Sequence, residues 1–272
     1  MNFTWMQQLP LLVWAIALGG LFFVSWTAWK GHPTVDTANT LTIGLSSGYP
    51  PYELLSSTGE LEGFDIDIAH AVGEKLGKKV IIKDMLFDTL IMELQQGKLD
   101  LLISGMSITP ERLKKLFMIH YQGKTLTHLS LMFWETIPQG ISSLKDFEKY
   151  PQAVVCVQPG TIHEVAMKQY PTVHLSYLDV PQMVMDLMYK KSLAALLEDH
   201  VVEEIKAQHP AIQILHVPLP SSVHSLGNGI AVDKKQADLA KQVEKAIEEL
   251  KADGTISTLE NKWFKESSYG SY

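Results

Sequence analysis

The chain has 272 residues, 46% hydrophobic and 19% charged, values that exclude wholesale disorder, collagen and a continuous coiled coil and allow one or two buried cores. A formal net charge of −7 lacks the basic excess of a nucleic-acid-binding face. The single cysteine, Cys156, excludes an internal disulfide and any cysteine-rich metal site.

Residues 1–29 carry no charged side chain, and Leu9–Trp29 is almost continuously apolar. As a helix such a run spans about 30 Å, the thickness of a bilayer core, and Trp5, Trp14, Trp26 and Trp29 suit the membrane interface. The segment has no Lys/Arg-rich start and no A-x-A cleavage site follows it. Residues 1–30 therefore read as an export signal, retained as a membrane anchor through residues 9–29 or, alternatively, cleaved as a signal peptide. Residues 31–39 form a polar linker.

From residue 40 strand-like and helix-like patterns alternate, as in a doubly wound α/β protein. Leu41–Leu45 reads as a strand. Phe64–Leu76 places Ile68, Ala69, Val72 and Leu76 at helical spacing and stops at Gly77. A strand at Val80–Lys83, a helix at Thr89–Gln96 and a buried strand at Leu99–Ser104 follow. Further on come strands at Leu129–Trp134 and Ala153–Val157, a helix from Thr161, a strand at Val173–Tyr177, a helix around Pro181–Lys190 and a strand at Leu193–Leu197. Gly227–Val232 is a last strand, followed by helices at Ala237–Leu250 and Ser257–Phe264.

Two strand-to-helix junctions carry chemistry. After Leu101–Ser104 the chain runs Gly105-Met106-Ser107-Ile108-Thr109-Pro110-Glu111-Arg112, with Thr109 as N-cap and Pro110 at the first helical position. A helix start offers unpaired N–H donors to an anion, and Arg112 adds a guanidinium fork suited to a carboxylate. After Val154–Val157 comes Gln158-Pro159-Gly160-Thr161, and Thr161-Ile162-His163-Glu164 has the form of a capping box. Alone, the first junction reads rather as a helix start with a solvated arginine and the second as a well-capped helix; together they form two anion-ready strand ends that could hold one carboxylate between them.

With these junctions, four further strings carry a resemblance: Tyr49-Pro50-Pro51-Tyr52-Glu53, Gly63-Phe64-Asp65-Ile66-Asp67-Ile68-Ala69, Phe87-Asp88-Thr89-Leu90, and Asp253-Gly254-Thr255 with Lys262-Trp263-Phe264. From Thr40 to Phe264 the chain resembles the periplasmic amino-acid-binding proteins of ABC transporters, solute-binding family 3, and is most similar to the arginine-binding branch. The resemblance implies a two-lobed periplasmic binding protein fold of the type II, hinged-trap kind, with lobe 1 at 40–124 and 226–266, lobe 2 at 130–218 and a tail at 267–272. It implies capture of a free amino acid, most readily arginine, for an ABC transporter permease, with no cofactor, metal or nucleic acid.

Carried over by position, the resemblance assigns the α-carboxylate to Arg112, helped by Ser107 and the Gln158–Thr161 turn, with hydrogen bonds from Ser104 and Gly105 beside Met106. It assigns the α-ammonium to Glu198 or Asp199, and the ligand side chain to an aromatic pair, Tyr49 and Phe87, with Tyr52 close by. Tyr52 and Phe87 are also readable as core. Ser46 stands where basic-amino-acid binders often carry an acid, which leaves Glu53 or Asp88 for a guanidinium and keeps lysine, ornithine, histidine and glutamine open as ligands. A cyclohexadienyl or arogenate dehydratase-like enzyme on the same fold and an anchored amino-acid sensor are the alternatives. No Walker loop or His-Glu-x-x-His is present, and the ten histidines read as ordinary surface or interior residues.

Overall fold

The computed structural model describes residues 39–264; the apolar stretch at 9–29, most of the linker and the tail at 267–272 lie outside the described residues. In its first part β1 (Thr40–Leu45), a hairpin of β2 (Leu54–Leu55) and β3 (Leu61–Glu62), α1 (Phe64–Leu76), β4 (Lys79–Asp84), α2 (Phe87–Gln95), β5 (Leu101–Leu102), α3 (Pro110–Lys115) and β6 (Leu116–Gln122) follow one another. A second set comprises β7 (His128–Trp134), β8 (Val154–Val157), α4 (Ile162–Met167), β9 (His174–Tyr177), α5 (Val180–Met188), β10 (Ala194–Leu197), α6 (Asp199–Gln208) and β11 (Ile212–Pro218). The chain closes with β12 (Asn228–Asp233), α7 (Ala237–Ala252) and α8 (Thr255–Trp263).

The larger strands form two five-stranded sheets, ordered β4-β1-β5-β12-β6 and β11-β7-β10-β8-β9. In the first, β1 runs parallel to β4 and β5 while β12 runs antiparallel to β5 and β6. In the second, β8 runs parallel to β9 and β10 while β7 runs antiparallel to β10 and β11. The chain passes between the sheets twice, after β6 and after β11. These crossings are bonded to each other: Leu126 N–H donates to Ser225 O at 2.8 Å, and Leu219 N–H to Thr127 O at 2.8 Å.

Helix α1 shows why such segments fold as they do. Phe64, Ile68, Ala69 and Val72 make one buried stripe, and Gly77 takes the left-handed conformation at φ 63° to end the helix. Gly63, at φ 141°, precedes it where an added Cβ would stand 2.1 Å from Tyr52 O, so only glycine fits.

Three differences from the sequence reading have physical causes. The strand expected at Leu99–Ser104 keeps ladder pairing only at Leu101–Leu102, because the backbone turns at Gly105 (φ 49°) away from the sheet. Strands β6 and β11 carry half-buried runs rather than a clean alternation, which hides them from a period-2 reading. Helix α6 buries only Val201, Val202 and Ile205 in a strongly charged segment. Among the described residues no helix is long and apolar enough to cross a membrane.

Candidate functional site

The carboxyl ends of β1, β5, β8 and β10 converge on a narrow cavity between the two sheets. Ser46, Tyr49, Phe87, Ser104, Gly105, Ser107 and Arg112 line it from the first sheet's side, and Gln158, Thr161, Ile162, His163 and Glu198 from the second's. Nine of the sequence-derived residues thus meet there, together with Ser46.

Arg112 is held from both sides. Thr109 caps α3 by accepting from Arg112 N–H at 3.2 Å. The guanidinium Nη1 donates to Ser107 O at 2.7 Å, and Nη2 reaches across to Gly160 O at 2.9 Å. Its Cζ lies 5.6 Å from the centre of the Phe87 ring, within cation–π range. Burial lowers its pKa to about 10, so it stays charged at neutral pH. Phe87 therefore backs the arginine as well as facing the cavity. Gly160 makes this approach possible: at φ 78°, an added Cβ would stand 3.2 Å from Asp88 Cα on the opposing side.

The second junction departs from the expected capping box. Thr161 Oγ1 accepts from Glu164 N–H at 3.4 Å, but the Glu164 carboxylate accepts from Gly160 N–H at 2.7 Å instead of from Thr161. Both α3 and α4 have six residues, too short for a large macrodipole; the positive charge of the site is that of Arg112.

Opposite Arg112 stands Glu198, buried, its Oε2 2.9 Å from His163 Nε2. The approach is not aligned as a hydrogen bond: Glu198 Oε2 and both ring nitrogens of His163 have no hydrogen-bond partner in the protein. Burial pushes Glu198 up to about 8. Burial, with Arg112 and His200 nearby, lowers His163 to about 3, so the imidazole is neutral. The cavity thus presents one cation, one carboxyl group and one neutral imidazole. Sequence reasoning placed His163 among ordinary histidines because it looked for metal-ligand spacing, whereas its neighbour Glu198 is 35 residues away in the chain.

Four other sequence-derived residues stand outside the cavity. Asp199 accepts from Ser130 Oγ at 2.6 Å and lies 3.4 Å from His216 Nδ1, so it points away. Met106 is core, at 0% exposure. Asp88 sits at the exposed start of α2. Tyr52 lies behind Tyr49, ring centres 6.0 Å apart, its hydroxyl donating to Gln122 Oε1 at 3.0 Å and accepting from Asn228 Nδ2 at 2.8 Å. Ser46 N–H donates to Ser104 Oγ at 3.0 Å.

Beneath the cavity floor lies a pair of buried acids. Asp65 accepts from Gly105 N–H at 2.6 Å and Tyr121 Oη at 2.7 Å. The Gly105 amide is therefore occupied from behind. Glu53, 0% exposed, has no aligned donor on either oxygen; it faces Asp65 and Ser104 instead of the cavity, so it cannot meet a ligand guanidinium there. Burial and the Asp65 charge hold Glu53 well above the usual carboxylate range, and burial raises Asp65 to about 6.

With its folded pKa raised, Glu53 keeps a proton that the unfolded chain releases, so its contribution to stability falls as pH rises above its ordinary value near 4.5. Glu53→Gln mimics the protonated form. The variant is expected to melt near wild type at pH 5 and about 2–4 °C above it at pH 8, measured by thermal unfolding across that range. A loss of stability independent of pH would show that the acid itself is required.

The family model described as "Bacterial extracellular solute-binding proteins, family 3" matches residues 41–266. The probable ABC transporter arginine-binding protein ArtJ of Chlamydia trachomatis serovar D is 35% identical over 227 residues, which cover 81% of this chain and 84% of that protein. An ancestral arginine-binding protein solved bound to arginine superposes with a TM-score of 0.75 at 30% identity, over 83% of this chain and 98% of that one. An ancestral arginine-binding protein bound to glutamine gives 0.74 at 31% identity, over 84% and 99%.

Proposed function

The chain belongs to family 3 of the bacterial extracellular solute-binding proteins, and from that premise we propose that it captures a free amino acid between its lobes, arginine first, for import by an ABC transporter. It is a binding protein and not an enzyme, as the curated relatives it matches are named as arginine-binding proteins. The observation that carries the ligand class is the pairing of one buried guanidinium, Arg112, with one buried carboxyl group, Glu198, across a cavity fed by both sheets. That arrangement complements a zwitterion, the carboxylate on Arg112 and the ammonium on Glu198. Closing of the lobes would complete it, with Arg112 bonded across the cavity to Gly160 O.

The rest of the cavity lining is polar and aromatic, with Ser46, Tyr49, Gln158 and His163, and Glu198 is the single acid of the whole lining. Stacking on Tyr49 and Phe87 suits a guanidinium plane, and the neutral His163 can accept a hydrogen bond from it. A neutral amide fits the same groups, in keeping with the relative solved with glutamine. Isothermal calorimetry of the full chain with arginine, lysine, ornithine, histidine, glutamine and prephenate tests the reading. Arginine is expected to bind most tightly, with no turnover; binding of prephenate alone would move the site to dehydratase chemistry.

We also infer that lobe 1 spans 40–124 and 226–266 and lobe 2 spans 130–218, each built on one of the two sheets. The uncharged, apolar stretch at 9–29 supports export with retention at the inner membrane, the lobes facing the periplasm. Release of the protein from membranes by an alkaline wash would overturn the anchor.

A further inference from the structure

His200 is the second residue of α6, two positions after Glu198, and leaves its own sheet's side to meet the aromatic cluster of the other. Its ring centre lies 5.2 Å from Tyr52 at 71° and 5.8 Å from Phe264 at 72°, both edge-to-face. Tyr52 and Phe264 are themselves 5.2 Å apart, and Phe64 stands edge-on to both. Nε2 of His200 is sealed from solvent with no hydrogen-bond partner. The seat is prebuilt: Tyr52 is fixed through Gln122 and Asn228, and Phe64 and Phe264 are core. The imidazole is the piece that arrives from the other lobe.

We propose that His200 is the closure latch of this protein, a positioning residue whose ring docks edge-on between Tyr52 and Phe264 when the lobes close and so ties closing to seating of Glu198 on the ligand. The link is mechanical, because Glu198 and His200 share one turn and cannot swing in separately. Edge-to-face pairs of this kind are worth enough that losing two of them lowers affinity about tenfold.

Docking also requires the neutral ring. Burial in the seat lowers His200 to about 4, with Asp199 opposing; an imidazole in open solvent titrates near 6.5. At this ring the closed form therefore binds fewer protons, so His200 opposes closing in acid between those values. Of the titratable groups around it, Tyr52 faces the ring, Asp199 adjoins it in the chain and is engaged by Ser130, Lys124 and His128 line the same cleft, and Glu198 and His163 lie on the cavity side. His163 is lowered for the same reason and acts with the same sign, while Glu198, raised by burial, acts with the opposite one, so the His200 share is read as a difference between variants.

The inference rests on the amino-acid reading above, and its test separates the two. Full chain in mild detergent is titrated with arginine at pH 7.5 and 5.5, as wild type, His200→Ala and His200→Phe, with ligand-free melting as a control for folding. His200→Ala is expected to bind about tenfold more weakly at pH 7.5 with an unchanged ligand-free melt. His200→Phe is expected to stay within about threefold of wild type at pH 7.5 and to lose up to about tenfold less affinity on going to pH 5.5. Wild-type affinity in His200→Ala at both pH values, or a His200→Phe profile parallel to wild type, overturns the latch. Failure of the wild type itself to bind arginine or any other amino acid overturns the ligand reading, and the latch with it.

Discussion

Arg112→Ala is expected to weaken amino-acid binding by more than about 100-fold while moving the ligand-free melting temperature by less than about 3 °C. The asymmetry follows from the contacts. Removing one partner of a buried, hydrogen-bonded charge pair strands the other, which costs about 2–5 kcal/mol; here the stranded group would be the ligand carboxylate. The fold loses less: of the two carbonyls bonded by the guanidinium, Ser107 O is on its own side and Gly160 O belongs to the closed form. The Thr109 cap needs only the backbone of residue 112. Arg112→Lys keeps the charge without the planar fork and should fall between the two. Calorimetry with the amino acid that binds the wild type, beside a thermal melt, checks both halves, and wild-type affinity in the alanine variant would remove Arg112 from the site.

Glu198→Gln is expected to act in opposite directions on binding and on closing. Binding should fall by about 10–100-fold, because a charge-assisted bond to the ammonium becomes a neutral one. Closing of the ligand-free protein should become easier. In an open cleft water solvates the Glu198 carboxylate; closing without a cation buries it and raises its pKa to about 8. At neutral pH that closure must take up a proton or hide a bare charge, a cost on the order of a few kcal/mol. The amide variant escapes it. Small-angle scattering of ligand-free protein should show a more compact population in Glu198→Gln than in wild type at pH 7.5. Equal compactness of the two proteins at pH 7.5 would argue against Glu198 as the brake. In this picture the carboxylate does two jobs: it selects an ammonium, and it keeps the trap open until one arrives.

The parts of this site that were legible in the sequence are local. Thr109, Pro110 and Arg112 lie within four positions, and capping chemistry alone places the guanidinium at a strand end. The Tyr49 turn and the Gln158–Thr161 turn are equally short-range signals. What the sequence concealed depends on pairs far apart in the chain. Asp65 occupies the Gly105 amide from 40 positions away, which turns an expected ligand donor into a structural bond. Glu198 and Asp199 are neighbours with the same chemistry, and only the direction of the turn before α6 sends one into the cavity and the other to Ser130. His163 and His200 carry no motif at all; each matters through what faces it across the cleft. Strand β10, which leads into that turn, was legible as an apolar run, whereas helix α6 after it and strand β11 beyond were hidden by charge and incomplete burial.

The place of β12 has a consequence for how the chain is made. It sits fourth in the first sheet, between β5 and β6, yet among the described strands it is the last to be synthesised. Everything in the second sheet, from β7 to β11, emerges from the ribosome before it as one unbroken stretch. The second sheet can thus finish while the first still holds an open slot with two unpaired strand edges. During that interval β5 and β6 have no partner on their facing sides, and the strand end that leads to Arg112 lacks its flank. The trap is assembled from the middle of the chain outward, and its first jaw is completed last.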